Sequence, residues 1–210
     1  MQSHDIASCP EFQIEGSITT LQAASRDGSN GEELSGSQLS VINFDRVKTD
    51  YARRLNISEP KSVDALCLDP SGDFALIEFK NRRVDKREGY EVCQKAYDSI
   101  LMLSDISSLL LQGMRKRGTF VLVYNEAKNR DGAVGDDPKK AIQPSESREG
   151  LVAHALDRLA KTPQVRFGME AFKRYCFKNV YTYTEKEFEE RFVRPREQRE
   201  ARTYTEVTPE

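Results

Sequence analysis

The stretch that decides the fold is "SVDALCLDPSGDFALIEFKN", residues 62–81. Two apolar runs flank Asp69-Pro70-Ser71-Gly72, a strong turn signal. Proline presets a φ of about −65°, and glycine accepts the left-handed region that follows. A loop of Pro70, Ser71 and Gly72 sets Asp69 opposite Asp73. Counting back along both strands then places Asp64 opposite Glu78. Cross-strand partners share a face, and so do residues two apart on one strand. Asp64, Glu78 and Lys80 therefore project to one side, together with Leu66, Leu68, Phe74 and Leu76. Val63, Ala65, Cys67, Ala75, Ile77 and Phe79 line the other side. Both faces are apolar, which predicts a hairpin covered on two sides. The three charges break that pattern at its open end, where burial without a partner is costly.

The rest of the chain supplies what such a hairpin needs. Its 210 residues allow one domain with a real core plus tails. Hydrophobic residues at 38% and charged residues at 31% suit a soluble protein with charged, flexible parts. The longest apolar segment, "SILMLSDISSLLL", is interrupted by Ser and Asp, so no membrane span is expected. The first residues lack a basic start and an apolar run, unlike a secretory signal. Cys9, Cys67, Cys93 and Cys176 are too scattered for a zinc pattern and read as free thiols of a cytoplasmic protein. A formal net charge of −2 means that any nucleic-acid contact needs a local basic patch.

Along the chain, residues 1–36 are rich in Ser, Gly, Glu and Asn and read as a mostly disordered tail. A helix is expected from Ser40, with Phe44, Val47, Tyr51 and Leu55 on one side. After the hairpin, the basic connector "NRRVDKREG" leads to a helix expected over 88–112, with Cys93, Tyr97, Ile100, Ser104 and Leu111 as its stripe. "TFVLVYN" reads as a buried strand, residues 125–148 as a long polar loop, and "EGLVAHALDRLAK" as an amphipathic helix. "CFKNVYTY" reads as a further strand. Thr184 and Glu187 have the spacing of a capping box. The expected organisation is one α/β domain over 37–192, followed by a charged tail at 193–210.

Two carboxylates facing each other across a hairpin can hold Mg²⁺ or Mn²⁺, which prefer oxygen ligands. Such an ion polarises a phosphodiester and acidifies bound water. A lysine beside it can orient that water or stabilise charge on the phosphorus oxygens. "VDA" supplies Asp64, and "IEFK" supplies Glu78 and Lys80. In these residues the chain resembles the PD-(D/E)xK nuclease superfamily. The resemblance covers roughly residues 40–125, with Val63 where the family name has proline. It implies a restriction-endonuclease-like core, a central mixed β-sheet flanked by helices on both faces. It also implies catalytic roles for Asp64, Glu78 and Lys80, with Asp64 and Glu78 as metal ligands and nucleic acid, DNA in the first instance, as substrate.

Accessory candidates lie nearby. Lys48 falls on the apolar side of the first helix, where it reaches the site or snorkels at the core's edge. Asp45 offers a further carboxylate, and Gln94 a hydrogen bond from the long helix. "KNRRVDKR" places Arg82, Arg83, Lys86 and Arg87 directly after the cluster, as a phosphate-binding patch or a solvated loop. Two other functions fit the same residues. One is a catalytically silent nuclease-fold module that binds a protein or nucleic acid. The other is a small α/β protein whose acidic pair is structural. A protein partner or self-association is compatible with each.

Overall fold

The computed structural model describes residues 6–129 and 165–206, with side chains as far as Arg202. Its centre is a six-stranded mixed sheet: β1 (Ile18–Thr20), β2 (Ser40–Asn43), β3 (Ala65–Leu68), β4 (Phe74–Lys80), β5 (Gly118–Tyr124) and β6 (Asn179–Thr184), in that spatial order. β1 to β4 form an antiparallel meander. β5 and β6 then add in parallel. The crossover to β5 carries the long helix that such a parallel connection requires.

The hairpin has the predicted register. Ala65 pairs with Ile77 and Leu68 with Phe74; the regular ladder stops there, and the Asp64 N–H goes to the Ile77 carbonyl instead of continuing the register to Glu78. Gly72 takes a φ of 85° and donates its N–H to the Asp69 carbonyl at 2.8 Å. The Asp69 carboxylate accepts from the Ser71 N–H and hydroxyl at 3.1 and 2.8 Å. All seven residues of β4 are buried. Leu66, Leu76, Phe120 and Leu122 pack on one face of the sheet, while Ala65, Ala75, Ile77, Val121 and Val123 pack on the other. Val63 joins the first face rather than the second. Regular strand begins only at Ala65, so alternation does not extend past Asp64. Instead the Val63 N–H donates to Ser99 Oγ at 3.0 Å.

Helices cover both faces. On the first lie α2 (Phe44–Leu55) and α3 (Lys86–Ser107), contributing Phe44, Val47, Val92, Ala96 and Leu103. On the second lie α5 (Glu185–Phe188), a π-helical turn over Glu189–Val193 and α6 (Arg194–Glu206), with Phe188, Phe192 and Val193 buried. The short α1 (Leu21–Ala24) adds Leu21 to that second core. The Thr184–Glu187 capping box forms as expected.

Several expectations need correction. The polar N-terminal segment is built into the fold: Ile6, Phe12, Leu21 and Leu34 are buried, and β1 extends the meander. Its apolar residues have no helical or strand period, so only tertiary contacts reveal them. Ser40 begins a strand, not a helix. Val41 and Ile42 suit a pleated surface, and Asn43 caps α2 by accepting the Arg46 N–H. The long helix ends at Ser107, with Ser108 in left-handed conformation. A separate α4 (Leu111–Arg117) leads into β5. The buried stripe of α3 is Gly89, Val92, Ala96, Ser99, Ile100 and Leu103. Tyr97 and Leu111, assigned to the stripe from spacing, are exposed. The charged segment from Pro195 is helical. The amphipathic segment 149–161 and most of the polar loop lie outside the described residues. No helix among the described residues is long and apolar enough to cross a membrane. Cys9, Cys67, Cys93 and Cys176 are in no disulfide among the described residues, and Cys9, Cys67 and Cys176 are buried.

Candidate active site

The site sits where the hairpin opens, against the first half of α3. β4 ends in Glu78-Phe79-Lys80, and alternation sends Glu78 and Lys80 toward α3. Glu78 is fully buried and Lys80 is 5% exposed. Asp64 arrives from the edge of β3. Its backbone N–H donates to the Ile77 carbonyl at 3.1 Å, and its Oδ2 accepts the Phe79 N–H at 2.6 Å. The carboxylate of Asp64 thus completes the ladder that would otherwise lapse beyond Ala65. The structure brings Asp64, Glu78 and Lys80 into one cluster on one face.

Two residues not singled out from the sequence complete the cluster. Lys95, on α3, places Nζ 2.7 and 3.0 Å from the two Glu78 oxygens and 3.3 Å from Asp64 Oδ1. Glu88, in the first turn of α3, lies 3.3 Å from Lys80 Nζ, and Lys80 Nζ is also 3.3 Å from Glu78 Oε1. The same Glu88 oxygen lies 2.9 Å from Arg82 Nε. Glu88, Val92, Lys95 and Ser99 stand at helical spacing, so one stripe of α3 faces the hairpin end. That spacing was the available signal. Glu and Lys on an amphipathic helix nevertheless read as solvated until a buried opposite charge is placed beside them.

Burial, and then the neighbouring Asp64 carboxylate, push Glu78 up to about 8, against the pull of Lys95 and Lys80. Burial also raises Asp64, with Lys95 and the Phe79 N–H drawing it back. Lys95 moves the other way from a simple buried amine. Desolvation would lower it, but Glu78 and Asp64 outweigh that and raise it.

The cluster forms one wall of a cleft of about 770 Å³. Arg26, Lys80, Arg82, Arg83, Lys95 and Lys128 line it, against Asp27, Asp64 and Glu78, so its lining is basic. The opposite wall is the 24–30 segment of the N-terminal region. That wall is tied down by Glu32, which accepts from Asn81 Nδ2 at 2.8 Å and Lys128 Nζ at 3.0 Å. Asn125 in turn donates to Asn81 Oδ1 at 2.8 Å. The supposed tail is therefore a wall of the cleft.

The accessory candidates divide. Lys48 pairs with Asp45 at 2.9 Å and Glu59 at 3.6 Å and does not reach the cluster. Asp45 Oδ1 also accepts from Ser62 Oγ at 2.6 Å, and its charge is felt at both Asp64 and Lys95. It borders the site without entering it. Gln94 is half-buried on α3 and makes no hydrogen bond to the cluster among the described residues. Arg82 and Arg83 line the cleft, whereas Lys86 and Arg87 are exposed in the first turn of α3 and do not.

The residues fit a hard divalent cation. Two carboxylates converge on a single point, which Lys95 Nζ occupies, and every donor facing it is oxygen. No cluster of three or more His, Cys, Asp or Glu side chains suited to a metal occurs among the described residues. A pair of carboxylates is a donor set that Mg²⁺ accepts, because that ion keeps several waters. Comparison with family models, curated proteins and solved structures gave no match.

Proposed function

We propose that this cleft hydrolyses phosphodiesters in nucleic acid, with DNA as the expected polymer, using Mg²⁺ or Mn²⁺ held by Asp64 and Glu78. The observation that carries this reading is the convergence of Asp64, Glu78 and Lys80 on one face, inside an open and basic-lined cleft. When bound, the ion would supply Lewis-acid polarisation of a phosphodiester oxygen and an acidified water. The chain's own residues do the rest. Glu88 and Glu78 clamp the Lys80 ammonium on two sides, so its position is fixed before substrate arrives. A preorganised cation of this kind stabilises charge growing on phosphorus oxygens without reorganisation. Arg83, Arg26 and Lys128 at the cleft's rim suit backbone phosphates.

The β2–β3–β4 meander, the α3 crossover and the parallel β5 support a restriction-endonuclease-like core. One departure is that α2 lies between the first and second strands of that meander. The test is cleavage of duplex DNA, single-stranded DNA and RNA with Mg²⁺ or Mn²⁺, with Asp64→Asn as control. Metal-dependent cleavage by the wild type alone supports the reading; intact substrates in every case overturn it.

One observation favours a second reading. Lys95 already pairs with both Asp64 and Glu78, so a cation of the chain itself sits between the two carboxylates. The protein would then be a silent nuclease-fold module that binds nucleic acid or a protein partner through the basic cleft. Tight, salt-dependent nucleic-acid binding that is indifferent to divalent ions would favour it.

A further inference from the structure

The Asp64–Glu78 pair holds a cation that belongs to the chain. Lys95 reaches it from α3 and lines the cleft on its way, with a quarter of its side chain exposed. Two features set Lys95 apart from Lys80. The first is charge balance. With every group ionised, the ion-paired network sets Asp64, Glu78, Glu88 and Glu91 against Lys80, Arg82 and Lys95, four against three. A divalent ion added beside Lys95 turns this set net positive in a buried place, where net charge is costly, whereas one that takes the place of Lys95 leaves it neutral. The second is freedom to move. Both lysines face two carboxylates from different elements, but the Lys80 side chain is only 6% exposed and that of Lys95 25%. The Lys95 ammonium makes its hydrogen bonds to Asp64 and Glu78, has the open cleft beside it, and sits on a flexible four-carbon stem.

We infer that Lys95 is a displaceable internal cation, which pairs with Asp64 and Glu78 until a divalent ion takes its place. Its ammonium then turns into the cleft, where a backbone phosphate supplies the negative charge it has left behind. This rests on the reading of Asp64 and Glu78 as metal ligands. Only ions change places: no covalent bond forms or breaks, and the ammonium keeps its proton. Metal and nucleic acid must then bind cooperatively, because each compensates charge the other exposes. The coupling is reciprocal by linkage. Metal alone binds weakly, and the site assembles fully only with its polyanionic ligand.

Mn²⁺ titrations followed by electron paramagnetic resonance test this, at a pH above the Glu78 pKa. The proteins are wild type, Lys95→Met and Glu78→Gln, each with and without a phosphorothioate-backbone DNA duplex. Removing the competing ammonium should tighten Mn²⁺ binding by roughly ten- to a hundredfold in Lys95→Met. The duplex should tighten Mn²⁺ binding to the wild type by about tenfold and to Lys95→Met far less, a change within the usual range of coupling between sites. Equal affinities in wild type and Lys95→Met, or no effect of duplex on the wild type, would overturn the inference.

Lys95→Met leaves two carboxylates without their counter-ion and can fail to fold, so a second measurement uses the wild type alone. Amine acylation read by mass spectrometry should label Lys95 slowly without metal and faster at saturating Mg²⁺, with exposed Lys116 as the reference. Unchanged Lys95 labelling at metal saturation would also overturn the inference. A protein that shows the exchange but leaves nucleic acid intact keeps it and loses the hydrolytic reading. A protein that cleaves while Lys95→Met binds Mn²⁺ no more tightly does the reverse. Undiminished Mn²⁺ binding by Glu78→Gln places the ion elsewhere and overturns both.

Discussion

Replacing Glu78 by Gln keeps the shape of a fully buried side chain and removes its charge. The wild-type carboxyl titrates at about 8 inside the protein, against 4.5 when unperturbed. A tenfold change in an ionisation equilibrium is worth about 1.4 kcal/mol, so ionising the folded protein costs up to about 5 kcal/mol more than ionising the unfolded chain. The sign follows from proton binding. Between pH 4.5 and about 8 the folded state holds a proton that the unfolded state has released, so wild-type stability falls as pH rises through that window. Above about 8 both states are ionised and the loss is complete. Asp64, also raised, adds to the same trend in wild type and variant alike. The wild-type-minus-Glu78→Gln stability difference should therefore drop by about 3–5 kcal/mol across the window. Urea unfolding at a series of pH values in metal-free buffer measures it. A flat difference, or one that climbs with pH, would mean that Lys95 holds Glu78 ionised throughout and that burial is the lesser effect.

Three further outcomes follow from the geometry. Millimolar Mn²⁺ should raise the melting temperature of the wild type by mass action but not that of Glu78→Ala; equal increases by differential scanning fluorimetry would put the ion at another site. Arg83→Ala should weaken nucleic-acid binding and flatten its dependence on salt by about one counterion, checked by fluorescence anisotropy at several salt concentrations, with an unchanged slope counting against Arg83 as a phosphate contact. Phe12→Ala should cost about 3–5 kcal/mol in chemical denaturation, because Phe12 is 1% exposed in the main core; a cost under about 1 kcal/mol would restore the picture of a detached tail.

The hairpin was legible because two local rules act together. Turn chemistry at Asp69–Gly72 set the loop length, and strict alternation carried the register from there to Ala65 and Ile77, one residue short of Asp64 and Glu78. A slip of one residue would have sent Asp64 to the opposite face. Lys95 and Glu88 were not legible, since nothing local distinguishes a charge facing a buried pair from one facing water. β2 was hidden for a different reason. It has four residues, and the helical period of α2 could be run backward through it until Asn43 is recognised as the cap. The N-terminal wall of the cleft escaped because Ile6, Phe12, Leu21 and Leu34 are each buried by distant partners rather than by a repeating face. Proximity in sequence carries Arg82 and Arg83 to the cleft's lining but not Lys86 and Arg87, which lie in the first turn of α3 outside it.

Single-turnover cleavage, with enzyme saturating over labelled DNA in Mg²⁺ or Mn²⁺, tests the central claim most directly. Wild type should cut. Lys80→Ala should remain folded, keep most of its affinity and cut about 10²- to 10³-fold more slowly, because a clamped cation acts where charge grows during attack on phosphorus. A folded wild type that binds metal yet leaves DNA and RNA intact, or a Lys80→Ala variant that cuts at the wild-type rate, would contradict the account.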